Sequence, residues 1–385
     1  MIKIKLPNSI KNTLVKNYNT DFVLDNFLQT EFRKIILPLY LLQCLTLAPK
    51  FSIRYDLITS DSCRTKVIIA ASAFVIFVKF SYDFIVYANI IKVKLNSMYV
   101  FLISLQLWFL FAAFIVNCLL TVLRSEINAY LIVRLQRIRY SYRFVKMKVK
   151  HTMIVNWILL FSILLYHIII CIIRMKTFDD AVLFTILSHL FVLSIDCNNI
   201  YIARVLTLFK NAILSWINEY QHIILNLSNT GTEDSHTAKI VQTYNELIAV
   251  WQMCQSVFGI PIAFFVVTTF TQAMCNVQTL IEEPTWNFSF IYALTWNVRN
   301  ILLVTAISFE CENIYTSMKN IRVACIMARE ADTCSDAVAS AVCGGAQFEA
   351  LTAGGVLAVD AALLARLVAT IATYAVVLLQ IKFLS

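Results

Sequence analysis

The stretch TYAVVLLQIKF, residues 373–383, is apolar enough for a membrane helix, yet Thr373, Tyr374 and Gln380 stand among its aliphatics. Followed back toward the N-terminus, it belongs to a helix expected over 358–381. On that helix Arg366, Thr370, Thr373, Val377 and Gln380 recur in steps of four, three, four and three, which places them on one narrow face. Leu364, Leu367, Ile371, Tyr374, Leu378 and Ile381 form a band beside it, with Tyr374 and Ile381 nearest the boundary. The polar stripe runs for roughly 20 Å. Polar groups in hydrocarbon are costly unless they meet protein or water. Two readings stay open: the stripe packs against neighbouring helices, with Thr and Gln bonding across, or it lines a water-filled path. One such helix cannot enclose a pore, so the second reading requires several copies around an axis.

The whole chain has the same character. It is 59% hydrophobic and 14% charged, with a mean hydropathy of +0.73. Soluble domains are about half apolar and about a quarter charged. Seven stretches approach the ~20 apolar residues of a spanning helix: 67–91, 98–123, 152–173, 181–206, 249–274, 288–309 and 358–381. The expected fold is therefore an all-α polytopic membrane protein with seven transmembrane helices. Residues 34–49, short and punctuated by Pro38 and Pro49, read as an interfacial or re-entrant helix. Lys79 and Asp83 interrupt the first span at a spacing that lets them pair, and Gly259-Ile260-Pro261 kinks the fifth. The N-terminus is basic without an apolar core, unlike a signal peptide.

The formal charge of +9 is distributed by topology, so no nucleic-acid partner is inferred. Basic residues crowd 1–66 and 124–151, whereas the alternate loops hold only Lys92, Lys94, Arg174, Lys176 and Lys382. The positive-inside rule then puts the N-terminus in the cytoplasm and the C-terminus outside, the reverse of a G-protein-coupled receptor. The sequon at Asn287 falls on an outer loop, a glycosylation candidate, and that at Asn226 falls inside. Spans four to six continue as cytoplasmic helices, since 207–225 keeps an amphipathic pattern. The organisation expected is a cytoplasmic region at 1–66, a six-helix ligand-binding bundle at 67–309 with helical extensions at about 207–248, and an anchor plus final helix at 310–385. Gly344-Gly345 and Gly354-Gly355 mark breaks before that helix. The eleven cysteines are scattered without a CxxC pair, so neither metal, cofactor nor disulfide framework is indicated.

Thr373-Tyr374, five hydrophobic residues and Gln380 resemble the TYhhhhhQF signature that closes insect gustatory receptors. Gly354-Gly355-Val356-Leu357 and Val359-Asp360-Ala361 are similar to the approach to it. Motif likeness covers roughly the last 35 residues; the span count, inverted topology and length extend it to the whole chain. The resemblance implies a plasma-membrane, tetrameric, ligand-gated channel for monovalent and divalent cations, either a homotetramer or assembled with related receptors, seated in the bilayer of a sensory neuron. It implies that the last helix surrounds the pore, with Gln380 near the outer gate. Ile381 stands where the family usually has Phe, so the aromatic part of that gate does not carry over. Tyr374 would couple pocket to pore. Ala375 replaces the acidic residue usual in sugar receptors, which favours a bitter or orphan receptor, and TYAVVLLQ most resembles moth and butterfly members.

A pocket in the outer half would draw on Tyr166, His167, Phe184, His189, Phe270, Gln272, Tyr292 and Trp296. Aromatic walls with a few polar groups suit a small amphipathic tastant such as a plant alkaloid. The competing reading is interfacial aromatics and histidines bonded to backbone. Deeper, Asp196 and Arg299 are expected to pair and hold the subunit together. A small-molecule transporter is the alternative function; it predicts matched broken helices in two repeats, and the fifth-span kink has no counterpart. No HExxH, GxSxG or phosphate loop supports an enzyme.

Overall fold

The computed structural model describes residues 27–94, 97–141, 146–177, 182–227, 233–282, 288–330, 342 and 349–384. Asn287, Gly344-Gly345 and residues 1–26 lie outside them, as do the side chains of Asp83, Phe184, Asn226, Tyr292 and Ile381. Among the described residues the chain is helical: α1 (Thr30–Leu45), α2 (Cys63–Lys94), α3 (Ser97–Ser141), α4 (Lys146–Thr177), α5 (Val182–Leu227), α6 (Glu233–Glu282), α7 (Phe288–Glu330) and α8 (Ala362–Leu384). Two hairpins complete it, β1 (Ser52–Arg54) with β2 (Leu57–Thr59), and β3 (Thr352–Ala353) with β4 (Leu357–Ala358). Helices α2 to α7 match the first six expected spans; the seventh, expected from residue 358, starts only at Ala362, because Leu357–Ala358 pairs in β4. Five of them, α3, α4, α5, α6 and α8, contain described segments long and apolar enough to cross a bilayer.

The helices overrun those spans on the side that loop charge assigns to the cytoplasm. The basic segment 124–151 is not a loop: it is α-helical up to Ser141 and again from Lys146. Ile132, Leu135 and Ile138 are buried there, while Arg134, Arg137 and Arg139 stay half-buried among them. Residue Arg124 absorbs a kink, with φ −116° and ψ 16°, where the membrane part gives way to the extension. In α5 and α6 the extensions are held by Trp216, whose indole donates to the Ile240 carbonyl at 3.1 Å and stacks on Tyr220.

Helix α1 buries Phe32, Ile35, Ile36, Leu39 and Leu42, the helical spacing of an apolar face, against α4 and α5. Its chain turns at Thr46–Lys50 and comes back through β1–β2. Tyr55 and Asp56, both at positive φ, make the two-residue turn, and the Asp56 carbonyl accepts the Leu28 N–H at 2.6 Å. The segment thus enters the bundle and returns to the level at which it started. At its tip Lys50 is buried and donates to Asn117 at 2.6 Å and Thr121 at 3.1 Å, both on α3.

Helix α6 is the hub: it touches α3, α5, α7, α8 and β3. An amide ladder ties its outer half to two neighbours. Gln106 of α3 donates to Gln272, Gln272 to Asn276 at 3.2 Å, and Asn276 to Asn297 of α7 at 2.8 Å. Such polar links hold membrane helices together where apolar burial offers no preference over lipid.

Candidate functional site: a buried ion cluster and a seated final helix

Span-length helices α4, α5 and α7 bring four of the expected pocket residues to one place. Tyr166 and His167 sit in T-shaped contact at 5.3 Å, His167 and His189 at 6.4 Å, and His189 and Trp296 at 5.9 Å between ring centres. His167, His189 and Trp296 are buried. Asp196 and Arg299, expected as a separate structural pair, belong to the same cluster. Arg299 Nη1 lies 3.1 Å from Asp196 Oδ2, and the guanidinium lies over the Trp296 ring at 4.3 Å. The same Oδ2 is 2.9 Å from His167 Nε2. A carboxylate only accepts, so Nε2–H is the donor and Nδ1 carries the lone pair in the neutral ring. Arg299 Nη2 also donates to Asn300 at 2.6 Å. The Asp196 side chain is fully buried and its neighbours nearly so. A carboxylate there is tolerable only because a cation and a donor meet it.

The other described pocket candidates lie elsewhere. Gln272 is engaged in the amide ladder, bonded to Gln106 and Asn276 rather than to the histidines. Phe270, half-buried on α6, meets Tyr374 of α8 edge-on at 5.5 Å. That contact joins the bundle to the final helix.

Helix α8 sorts its residues as the wheel does. Arg366, Thr370, Thr373, Val377 and Gln380 are all exposed, whereas Leu367 and Leu378 are buried and Leu364 and Ile371 half-buried. Tyr374, at the boundary, is 52% exposed. The hydroxyls of Thr370 and Thr373 donate to the Arg366 and Ala369 carbonyls at 2.8 and 2.9 Å, which satisfies them within the helix. Arg366 pairs with Asp360 and donates to the Ala358 carbonyl at 3.0 Å, tying the start of the stripe to β4.

Sequence reasoning missed the seat beneath α8. The turn of the β3–β4 hairpin is Gly354-Gly355, with φ of 63° and 79° that favour glycine. The Gly354 N–H donates to the Gly259 carbonyl at 2.9 Å, next to Pro261. A Cβ on Gly259 would come within 2.8 Å of the Thr352 carbonyl oxygen. One and two turns earlier, Gln255 and Trp251 both donate to the Glu349 carbonyl at 2.9 Å. Positions 251, 255 and 259 fall in steps of four on one α6 face. From α7, the Tyr315 hydroxyl accepts the Leu351 N–H at 2.7 Å and donates to the Val359 carbonyl at 3.1 Å. Burial pushes that phenol up, with a smaller push from Cys311, so it stays protonated and able to donate. The signal lies in the i, i+4, i+8 spacing of Trp251, Gln255 and Gly259, and in the glycine of Gly259-Ile260-Pro261.

No protein-family model matches the chain, and no curated protein matches it in sequence. Solved structures do match in fold. Insect olfactory receptor OR5 from Machilis hrabei superposes with a TM-score of 0.61 at 13% identity, covering 91% of this chain and 98% of that one. The same receptor in complex with eugenol gives 0.63 at 13% identity, covering 94% and 100%. The protein is therefore a multi-pass membrane protein with the all-α, seven-transmembrane fold of an insect olfactory receptor.

Proposed function

We propose that this protein is a ligand-gated, non-selective cation channel of the plasma membrane that acts as a gustatory chemoreceptor. Its ligand is a small amphipathic molecule, a bitter plant compound in the reading the sequence favours, and its assembly is a tetramer, of itself or with related receptors. The observation that carries this reading is the exposed stripe Arg366, Thr370, Thr373, Val377 and Gln380 on a helix whose opposite face is packed on α6 and α7. Several such helices around an axis would present the stripe to water and give monovalent and divalent cations a path. The olfactory-receptor fold and the eugenol bound by OR5 support a small-molecule-gated channel of this architecture.

The ligand would sit at the cluster of Tyr166, His167, His189, Asp196, Trp296 and Arg299. Its aromatic faces suit an amphipathic ring system; ligand donors would compete for the Asp196 carboxylate, and ligand acceptors for the Arg299 and His167 N–H groups. Two contacts would carry a change there to the stripe: Phe270 on Tyr374, and the α6–α7 seat of the hairpin.

Currents from cells expressing the chain provide the test. A compound-evoked current that reverses with the cation gradient and ignores the compound's own gradient is expected. Gln380→Ala should alter single-channel conductance or rectification. Flux coupled stoichiometrically to the compound, or a Gln380→Ala channel identical to the parent, overturns the reading.

A further inference from the structure

Between α3, α5 and α6, beside Pro261, lies a narrow cavity lined by Ala113, Val116, Asn117, Asn198, Asn199 and Pro261, among others. Most of its wall is apolar, yet three carboxamides face it. Asn199 is 1% exposed, and neither its Oδ1 nor its Nδ2 has a hydrogen-bond partner among the described residues. Asn117 cannot turn to serve it. Its Oδ1 accepts Lys50 Nζ at 2.6 Å, and its Nδ2 donates to Ser194 at 3.1 Å. Pro261 has no N–H to offer.

We propose that this cavity is a binding site for an ordered water molecule, held by both polar atoms of the Asn199 amide. A buried amide with a free donor and a free acceptor needs a partner able to do both, and water is the smallest molecule that is. The space suits one water and no organic ligand. A bare cation would meet carboxamides on one side and apolar wall on the rest. A bare anion would meet apolar wall on most of its surface. The water lies beside Pro261 of α6, where the missing N–H already interrupts the helical ladder. The site is separate from the proposed ligand cluster and does not depend on the channel reading.

Two measurements on the full-length protein test it. A cryo-EM map that resolves other internal waters should show density within hydrogen-bond distance of both Asn199 amide atoms. A dry cavity in such a map overturns the proposal. Asn199→Ala, which removes the amide without adding volume, should lower the melting temperature of the purified protein by several degrees, because a water it cannot bond is stranded or lost. A rise in melting temperature would mean that the amide is unpaired, against the proposal. A melting temperature that shifts when chloride is exchanged for bromide would make the occupant an anion and overturn it as well.

Discussion

Helix α5 carries Ser188, His189, Ser194, Asp196, Asn198 and Asn199 within its membrane part, and all six are buried. Helix α8 is the more apolar of the two, yet leaves Val368, Tyr374, Val376, Val377 and Leu379 exposed alongside its threonines. Hydropathy alone would have placed them the other way round. In a bilayer an apolar side chain gains nothing by leaving lipid, whereas a polar one must find a partner. The polar helix is therefore drawn to the centre of the subunit. The apolar helix, whose threonines bond to its own backbone, can stay at the edge.

The heaviest blow to that comparison is Asp196→Ala. It leaves the Arg299 guanidinium and the His167 ring buried without their shared carboxylate. Breaking a buried pair on one side costs about 3–5 kcal/mol. The folded fraction of detergent-solubilised protein, followed by size exclusion and thermal melting, should fall sharply. Retention of the parent melting temperature would show that the cluster does not hold α4, α5 and α7 together.

The second test concerns how the exposed helix is anchored. In Gly259→Ala the new Cβ meets the Thr352 carbonyl oxygen at 2.8 Å. That oxygen belongs to hairpin backbone fixed by the Gly354–Gly259 hydrogen bond, so it cannot yield cheaply. A loss of about 1–3 kcal/mol is expected from overpacking, partly offset by about 1 kcal/mol of helix propensity. A stabilised Gly259→Ala protein would mean that the hairpin does not dock on α6. Tyr315→Phe should come next, at about 1–2 kcal/mol, because the Leu351 N–H and Val359 carbonyl lose their partner together. Its melting curve should shift less than that of Asp196→Ala and more than that of any stripe variant.

What the sequence revealed follows the same division. The seven helices could be read because each needs a long apolar run, and the stripe on α8 because a helix repeats its faces with a fixed period. The Asp196–Arg299 contact was readable because an intramembrane charge needs a partner and the chain offers few. The joining of that pair to His167 and Trp296 was not, since it depends on the rotation of α4 and α7 about their axes. The return of residues 46–59 was equally hidden, as it rests on a turn at Tyr55-Asp56 with no glycine to announce it. Segment 124–141 misled because Lys and Arg mark the cytoplasmic side without saying whether the chain there is coil or helix.

The smallest expected effect is the most discriminating. Thr373→Val keeps the shape of the side chain and removes a hydroxyl that, among the described residues, bonds to the Ala369 carbonyl of its own helix. If the stripe faces water, no neighbouring helix loses a partner. Stability of the assembled protein should then stay within about 0.5 kcal/mol of the parent, while the current changes because a polar group leaves the ion path. If the stripe instead packs against another helix, the hydroxyl has a second partner in the assembly. Melting should then fall by about 1 kcal/mol or more, and the current of the surviving channels should not change. Thermal melting and single-channel recording on the same variant thus separate the two readings that TYAVVLLQIKF leaves open.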